Sequence, residues 1–155
     1  MKRAPDGASV EITILYDNSE HDRRLHTGWG FSCLVTGTAR TILFDTGGHS
    51  DVLLGNMAAL EVGPAEIDLV FISHWQSDHF GGLNGLLETG IRPRVYLPAS
   101  TPRAAIARIR EYGADLVRVE HSMAMCAGVY STGELGGGIR EQSLVLASPR
   151  GVVLI

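Results

Sequence analysis

The chain has 155 residues, 45% of them hydrophobic and 19% charged, with a formal net charge of −4. That balance excludes a disordered polyelectrolyte and supplies apolar material for one sizeable core. Acidity without a basic cluster argues against a nucleic-acid partner, so Arg103, Arg108 and Arg110 read as a solvated helix face.

Residues 9–16 alternate, with Val10, Ile12 and Ile14 on one face, and predict a strand. Residues 17–28 are polar and carry His21, Asp22, Arg23, Arg24 and His26; this is a surface loop of a length that is often functional. Two strands follow, over 30–36 and 40–45, joined as a hairpin by Thr36-Gly37-Thr38-Ala39. Val52, Leu53, Met57 and Leu60 have helical spacing, and Gly63-Pro64 ends that helix. Residues 68–72 form a short, fully apolar strand, 83–87 start a helix and 95–97 form a strand. Thr101-Pro102 predicts a capped helix start, Ile106, Ile109 and Tyr112 give its apolar stripe, and Gly113 closes it. The last strands are expected at 116–119, 128–131, 143–147 and 152–155, the final pair turned by Pro149-Arg150-Gly151. Strand and helix alternation after a hairpin-rich start predicts a sheet with helices packed on one face.

No run of about 18 apolar residues occurs, so no membrane span is expected. Met1-Lys2-Arg3 leads into Ala4-Pro5-Asp6-Gly7 rather than an apolar stretch, which is not a signal-peptide pattern. Cys33 and Cys126 are far apart and form no C-x-x-C pair. The expected compartment is therefore a reducing cytoplasm without a disulfide framework.

The most chemical segment is His74-Trp75-Gln76-Ser77-Asp78-His79, placed between the strand Leu69-Val70-Phe71-Ile72 and Gly81-Gly82. Imidazole and carboxylate are the donors a hydrolytic zinc prefers, and His74, Asp78 and His79 supply them. The strand gives a rigid base, the turn brings the side chains back toward one point, and the glycines allow tight passage into the next helix.

Read as His-x-Gln-x-Asp-His, this segment resembles the His-x-His-x-Asp-His signature of the metallo-β-lactamase fold superfamily. Thr41-Ile42-Leu43-Phe44-Asp45-Thr46-Gly47-Gly48 resembles the strand and turn carrying that superfamily's buried aspartate. Three further stretches resemble the branch of dihydropterin-methyl-ribofuranosylaminobenzene-phosphate synthase-like metallohydrolases. They are Ile14-Leu15-Tyr16-Asp17-Asn18, Trp29-Gly30-Phe31-Ser32-Cys33-Leu34-Val35 and Val129 to Gly137. The resemblance implies an α/β (α+β) chain forming the first half of an αββα sandwich, with a mixed sheet, helices on one face and the edge of a second sheet. In the family, more ligands follow the strand that Gly151-Val152-Val153-Leu154-Ile155 resembles. Residues 1–155 are accordingly expected to be a single, incomplete domain with exposed apolar sheet surface. Its expected partner is a second copy of itself or a missing C-terminal half.

By the same resemblance, His74 and position 76 would bind one metal and Asp78 and His79 a second. Asp78 would be the catalytic residue, and Asp45 the aspartate that orients the ligands. The implied cofactor is Zn²⁺, with Mn or Fe as alternatives, at weak or partial occupancy. Gln76 stands where the family has histidine, its neutral amide is a poor zinc donor, and neither set reaches the three strong ligands a catalytic zinc needs. A weak single-ion site of His74, Asp78 and His79 is one expectation; hydrogen-bonded, metal-free loop histidines are the other. The implied function is a metal-dependent hydrolase-like protein acting on an unidentified small molecule, with low or no activity as a lone chain. The alternatives are a non-catalytic remnant or interaction module, or a fragment completed by a second chain.

Plainer expectations attach to the remaining candidates. Asp45 alone would read as a turn former. His21, His26, His49 and His121 are expected at the surface, with His26 or His49 the ones able to approach the site. His121 and Cys126 are too weakly patterned for a metal pair. Gly133 to Gly138 lacks the lysine and hydroxyl of a phosphate loop and reads as a turn, bordering the substrate cleft by resemblance. Trp29 is expected in or half in the core, with pocket lining as the alternative.

Overall fold

The computed structural model describes residues 9–148 and 150–155. The basic amino-terminal tripeptide, the residues after it to Ala8 and the predicted turn residue Pro149 lie outside the described residues.

Six strands form the first sheet in chain order: β1 (Glu11–Tyr16), β2 (Ser32–Thr36), β3 (Ile42–Phe44), β4 (Leu69–Phe71), β5 (Arg94–Pro98) and β6 (Asp115–Val119). β1–β2 and β2–β3 pair antiparallel, and β3–β4, β4–β5 and β5–β6 pair parallel. Parallel neighbours need long crossovers. These carry α1 (Ser50–Ala59), then α2 (Ser77–Phe80) with α3 (Leu83–Glu88), then α4 (Arg103–Glu111). The central strands are apolar throughout because both of their faces are covered. Leu43, Val70, Ile72, Val95 and Leu97 pack with Leu53, Met57, Leu83, Leu86, Leu87, Ile106 and Ile109 of the helices. Their alternating neighbours Ile42, Phe44, Leu69, Phe71 and Tyr96 pack on the opposite side with Val129, Leu144 and Leu146. The period of two in a pleated strand thus sorts one short sequence into two cores.

The second core is closed by a four-stranded antiparallel sheet in the order β10-β9-β8-β7, made of β7 (His121–Cys126), β8 (Val129–Gly133), β9 (Leu144–Ser148) and β10 (Gly151–Leu154). The architecture is helices, sheet, sheet, a mixed α/β fold with the helices on one face of a mixed sheet, as expected. Three local expectations are corrected. The chain supplies four strands of a second sheet rather than only its edge, so the inner face of the first sheet is covered by this chain itself. The exposed apolar surface lies instead at β10, with Val152 and Leu154 open, and at the outer strand β1, with Ile12 and Ile14. No strand is expected over 121–126, since His-Ser-Met-Ala-Met-Cys lacks β-branched residues; β7 is held there by pairing with β8, with a register shift between Ala124 and Cys126. Thr101 does not cap α4: the helix enters through Pro102 with no side-chain cap, and the Thr101 hydroxyl is buried without a hydrogen-bond partner.

Candidate metal centre

β3 and β4 are parallel neighbours in register, Phe44 opposite Phe71, so the loops after them leave the same sheet edge side by side. That is the end of a parallel sheet where ligands are generally received. Asp45 N–H donates to the Phe71 carbonyl at 2.8 Å, and the backbone then turns into the left-handed region, φ 52°. This turn folds the Asp45 side chain inward to full burial. Its carboxylate accepts from the Ser73 N–H at 2.7 Å, the Ser73 hydroxyl at 2.6 Å and His79 Nδ1–H at 2.7 Å. Asp45 is therefore more than a turn former, because it ties the β4 loop to the start of the following helix.

His79 sits on α2, and its carbonyl is held by the Thr46 N–H at 2.7 Å and the Thr46 hydroxyl at 3.0 Å. The Asp78 carbonyl accepts from Phe31 N–H at 3.3 Å. Gly30 lies against this carbonyl with φ 137°, where a Cβ would run into the oxygen. A glycine is thus needed for the β2 loop to approach α2. Just before it, Trp29 is 74% exposed rather than in or half in the core.

Proton accounting follows from these contacts. An ionised Asp45 only accepts, so the Ser73 hydroxyl donates to it and in turn accepts from His74 Nδ1–H at 2.9 Å. Both imidazoles therefore carry a proton on Nδ1. His79 Nε2 is left facing Asp78 Oδ2 at 3.6 Å, and the two side chains are about one quarter exposed, 22% and 24%. His74 is buried, and its Nε2 meets Gln76 Oε1 at 2.9 Å. That contact is a hydrogen bond when Nε2 is protonated as well, or when the Gln76 amide turns its NH₂ toward the ring. In both arrangements the loop itself uses up the His74 Nε2 lone pair. The rings of His74 and His79 lie 4.0 Å apart.

Burial pushes the Asp45 carboxyl above the usual carboxylate range against the opposing pull of His79 and Ser73. Burial alone would lower His79; the hydrogen bond and charge of Asp45, with Asp78 and Glu141 behind, outweigh it and hold His79 above the ordinary histidine range. The contact thus favours a protonated imidazole and an ionised carboxylate, while burial opposes both charges.

Two donors on one tetrahedral ion at about 2.0–2.2 Å lie roughly 3.4 Å from each other. The 3.6 Å between His79 Nε2 and Asp78 Oδ2 matches that span, and the Asp45 carboxylate on Nδ1 is the arrangement that fixes a ligating histidine. The fit stops at two donors. Among the described residues no group of three or more His, Cys, Asp or Glu side chains is gathered to hold a metal ion. Gln76 is exposed except for its contact with His74, while His21, His26, His49 and His121 are all at the surface.

Residues without a sequence signal complete the surroundings. Gln142 is almost fully buried. It donates through Nε2 to the Ile72 carbonyl at 2.8 Å and through its backbone N–H to the Ser73 carbonyl at 2.8 Å, and it accepts from the Ser131 hydroxyl at 2.8 Å. It locks the second sheet onto the base of the loop. Nothing in Glu141-Gln142-Ser143 marks it in advance, since its partner is 70 residues away. The glycine-rich stretch after β8 is a turn, as expected, closed by a bridge between Leu135 and Glu141.

Residues 30–105 match the family model described as the metallo-beta-lactamase superfamily. The chain is 32% identical over 80 residues to the 7,8-dihydropterin-6-methyl-4-(beta-D-ribofuranosyl)-aminobenzene-5'-phosphate synthase of Methanocaldococcus jannaschii, a match that covers 49% of this chain and 27% of that protein. Among solved structures it is similar to the metallo-beta-lactamase fold protein YhfI from Bacillus subtilis, with TM-score 0.69 and 13% identity over 94% of this chain and 61% of that one. It is also similar to the short form of human tRNase Z, with TM-score 0.66 and 16% identity over 93% of this chain and 67% of that one. The chain thus spans about a quarter of the curated relative and under two thirds of YhfI.

Proposed function

We propose that this chain, which belongs to the metallo-β-lactamase superfamily, carries one arm of a metal-dependent hydrolytic site whose donor set is degenerate. Asp78 and His79 are the residues that hold a divalent ion, and Asp45 orients His79 for it. His74 is withdrawn from ligation by Gln76. The observation that carries this reading is the Asp45–His79–Asp78 line, in which a buried carboxylate takes Nδ1–H and leaves Nε2 facing a second carboxylate. A divalent ion supplies a polarised substrate oxygen and a water of lowered pKa when bound. The chain's own residues do the rest. Asp45 fixes the imidazole tautomer, Ser73 bridges it to His74, and Gln142 holds the loop base against the sheet.

With two good donors the ion is zinc, manganese or iron at partial occupancy, and activity on a small-molecule substrate is low or nil for this polypeptide alone. The remaining donors come from another polypeptide, either a second copy or a partner segment. The open apolar surface at Ile12, Ile14, Val152 and Leu154 supports such an association. Two unpaired cysteines suit a reducing cytoplasm, and no helix among the described residues is long and apolar enough to cross a membrane. The internal hydrogen bond between Gln76 and His74 favours a second reading, a non-catalytic interaction module that keeps the loop without the ion.

Metal titration with light scattering tests the proposal. The expected result is substoichiometric Zn²⁺ or Mn²⁺ in the protein purified without chelator, abolished in Asp78→Ala. Gln76→His should tighten binding by roughly tenfold or more, an imidazole replacing an amide. Unchanged metal content in Asp78→Ala would remove Asp78 from the site, and no response to Gln76→His would leave the interaction module as the better reading.

A further inference from the structure

Beside the loop lies a pocket of about 320 Å³ lined by Trp75, Gln76, Ser100, Gly138, Ile139 and Arg140. Its composition is selective. Arg140 is the one ionisable side chain in the lining, and the pocket's volume falls at the lower end of small-molecule sites. Arg140 is exposed and anchored from below, since its Nη1 reaches Glu134 Oε2 at 3.4 Å. The Glu134 side chain is itself only 4% exposed, and its other oxygen accepts the Ser100 N–H at 2.5 Å. This buried carboxylate joins the loop after β5 to the turn after β8 and holds the guanidinium at the pocket. Its single long contact leaves the rest of the guanidinium fork for a ligand, and the fork geometry suits an oxyanion.

The apolar part of the lining has its own shape. One face of the Trp75 indole is stacked on Phe80, with ring centres 3.7 Å apart and planes within 4° of parallel, so the indole is braced. Ile139 is a large side chain left 53% exposed on the turn. Gln76 borders this pocket and touches His74 at 2.9 Å, so it is shared between the pocket and the candidate metal loop. A residue that no longer serves as a strong metal donor is placed to read what lies next to the reacting centre.

We propose that this pocket is the recognition subsite for substrates carrying an oxyanion on a planar ring. Arg140 binds the oxyanion, Trp75 and Ile139 bound the ring, and the Gln76 amide supplies a neutral hydrogen bond. The inference deepens the reading of the 74–79 loop as the reacting centre and rests on it for calling the ligand a substrate.

The test is calorimetric binding of 1-naphthyl phosphate to the full chain without added metal, beside 1-naphthol and inorganic phosphate. The expected result is that naphthyl phosphate binds at least roughly tenfold tighter than either half alone, because two kinds of contact act together. Arg140→Gln should lose roughly tenfold or more in affinity for naphthyl phosphate, as hydrogen bonds to charged groups do, and leave 1-naphthol unchanged. Ile139→Ser and Trp75→Phe should each weaken both naphthyl probes several-fold. Naphthyl phosphate binding no better than its halves, or binding equally to Arg140→Gln, overturns the subsite. Asp78→Ala separates the two proposals. If it removes metal and spares the probe, both stand. If it spares both metal and probe while Arg140→Gln still loses the probe, the loop reading falls and the pocket remains a ligand site. If it removes the probe, the probe sits on the loop and the subsite is overturned.

Discussion

Replacing Asp45 by asparagine separates a structural turn from an orienting carboxylate. Asparagine tolerates the left-handed backbone at this position, φ 52°, as well as aspartate does. Its Oδ1 can still accept the Ser73 N–H, now at 2.7 Å, but an NH₂ replaces the oxygen that takes both the Ser73 hydroxyl and His79 Nδ1–H. Two donors would then face a donor. The serine hydroxyl can rotate; the imidazole relieves the clash by moving its proton to Nε2, so that Nδ1 accepts from the amide. With the hydrogen-bond count largely restored, the stability loss should be about 1–2 kcal/mol. Asp45→Ala strands all three donors and should cost about 3–5 kcal/mol, as breaking a buried charged partnership does. Metal binding should fall with Asp45→Asn by roughly 10- to 100-fold, because Nε2 now carries a proton toward Asp78. Urea unfolding gives the first two numbers and competition against a chelating dye the third. Equal stability losses for Asn and Ala, or metal affinity unchanged in Asp45→Asn, would refute the tautomer argument.

Three other perturbations probe the scaffold. Gly30→Ala forces a Cβ against the Asp78 carbonyl at a φ of 137° and should destabilise by about 1–3 kcal/mol, read from urea unfolding; a neutral effect would mean the β2 loop does not press on α2. Gln142→Ala removes the Nε2 donor from the Ile72 carbonyl and the acceptor from the Ser131 O–H and should cost about 1–3 kcal/mol, with hydrogen exchange rising at Ser73 and His74; unaltered exchange there would contradict its role as a clamp. Burial, with Asp45 adding to it, pushes the Cys33 thiol up to about 12. Cys33 should therefore stay unlabelled by iodoacetamide at pH 8 in the folded protein and react only in denaturant, while half-buried Cys126 labels first; equal rates by peptide mass analysis would be the contrary result.

Particular residues show how far the sequence could be read. The strands Ile42–Phe44 and Leu69–Phe71 were legible because uninterrupted apolar runs mean burial on both faces. The stripe Ile106 and Ile109 was legible because a helix buries one side. Asp45, Asp78 and His79 stand in motifs short enough to recognise, and the structure brings them into one line, Asp45 hydrogen-bonded to His79 and Asp78 3.6 Å from its other nitrogen. β7 was not legible, since its unbranched residues adopt a strand only through pairing with β8. Gln142 and Glu134 were not legible either. Each is a polar residue in a turn-rich stretch whose burial depends on contacts distant in sequence, and only the folded chain reveals that Gln142 supports Ile72 and Glu134 supports Ser100.

The choice of aspartate at position 45 bears on whether the loop is more than inherited architecture. A left-handed turn at the end of β3 is served as well by asparagine or glycine, neither of which carries a charge into the core. Burying a carboxylate costs several kcal/mol unless its partners repay it. Here the partners are two groups of Ser73 and one ring nitrogen of His79, so the charge is spent on orienting the loop rather than on the turn. The consequence is directional. It fixes which nitrogen of His79 faces Asp78, a matter of no importance to packing and of first importance to a cation between them. Gln76 works in the opposite direction on His74, tying up the nitrogen that would otherwise face outward. On the proposed reading, one loop presents one imidazole prepared for ligation and one closed to it. That asymmetry predicts a single ion at the Asp78 side, with the Gln76 side left free to contact the substrate.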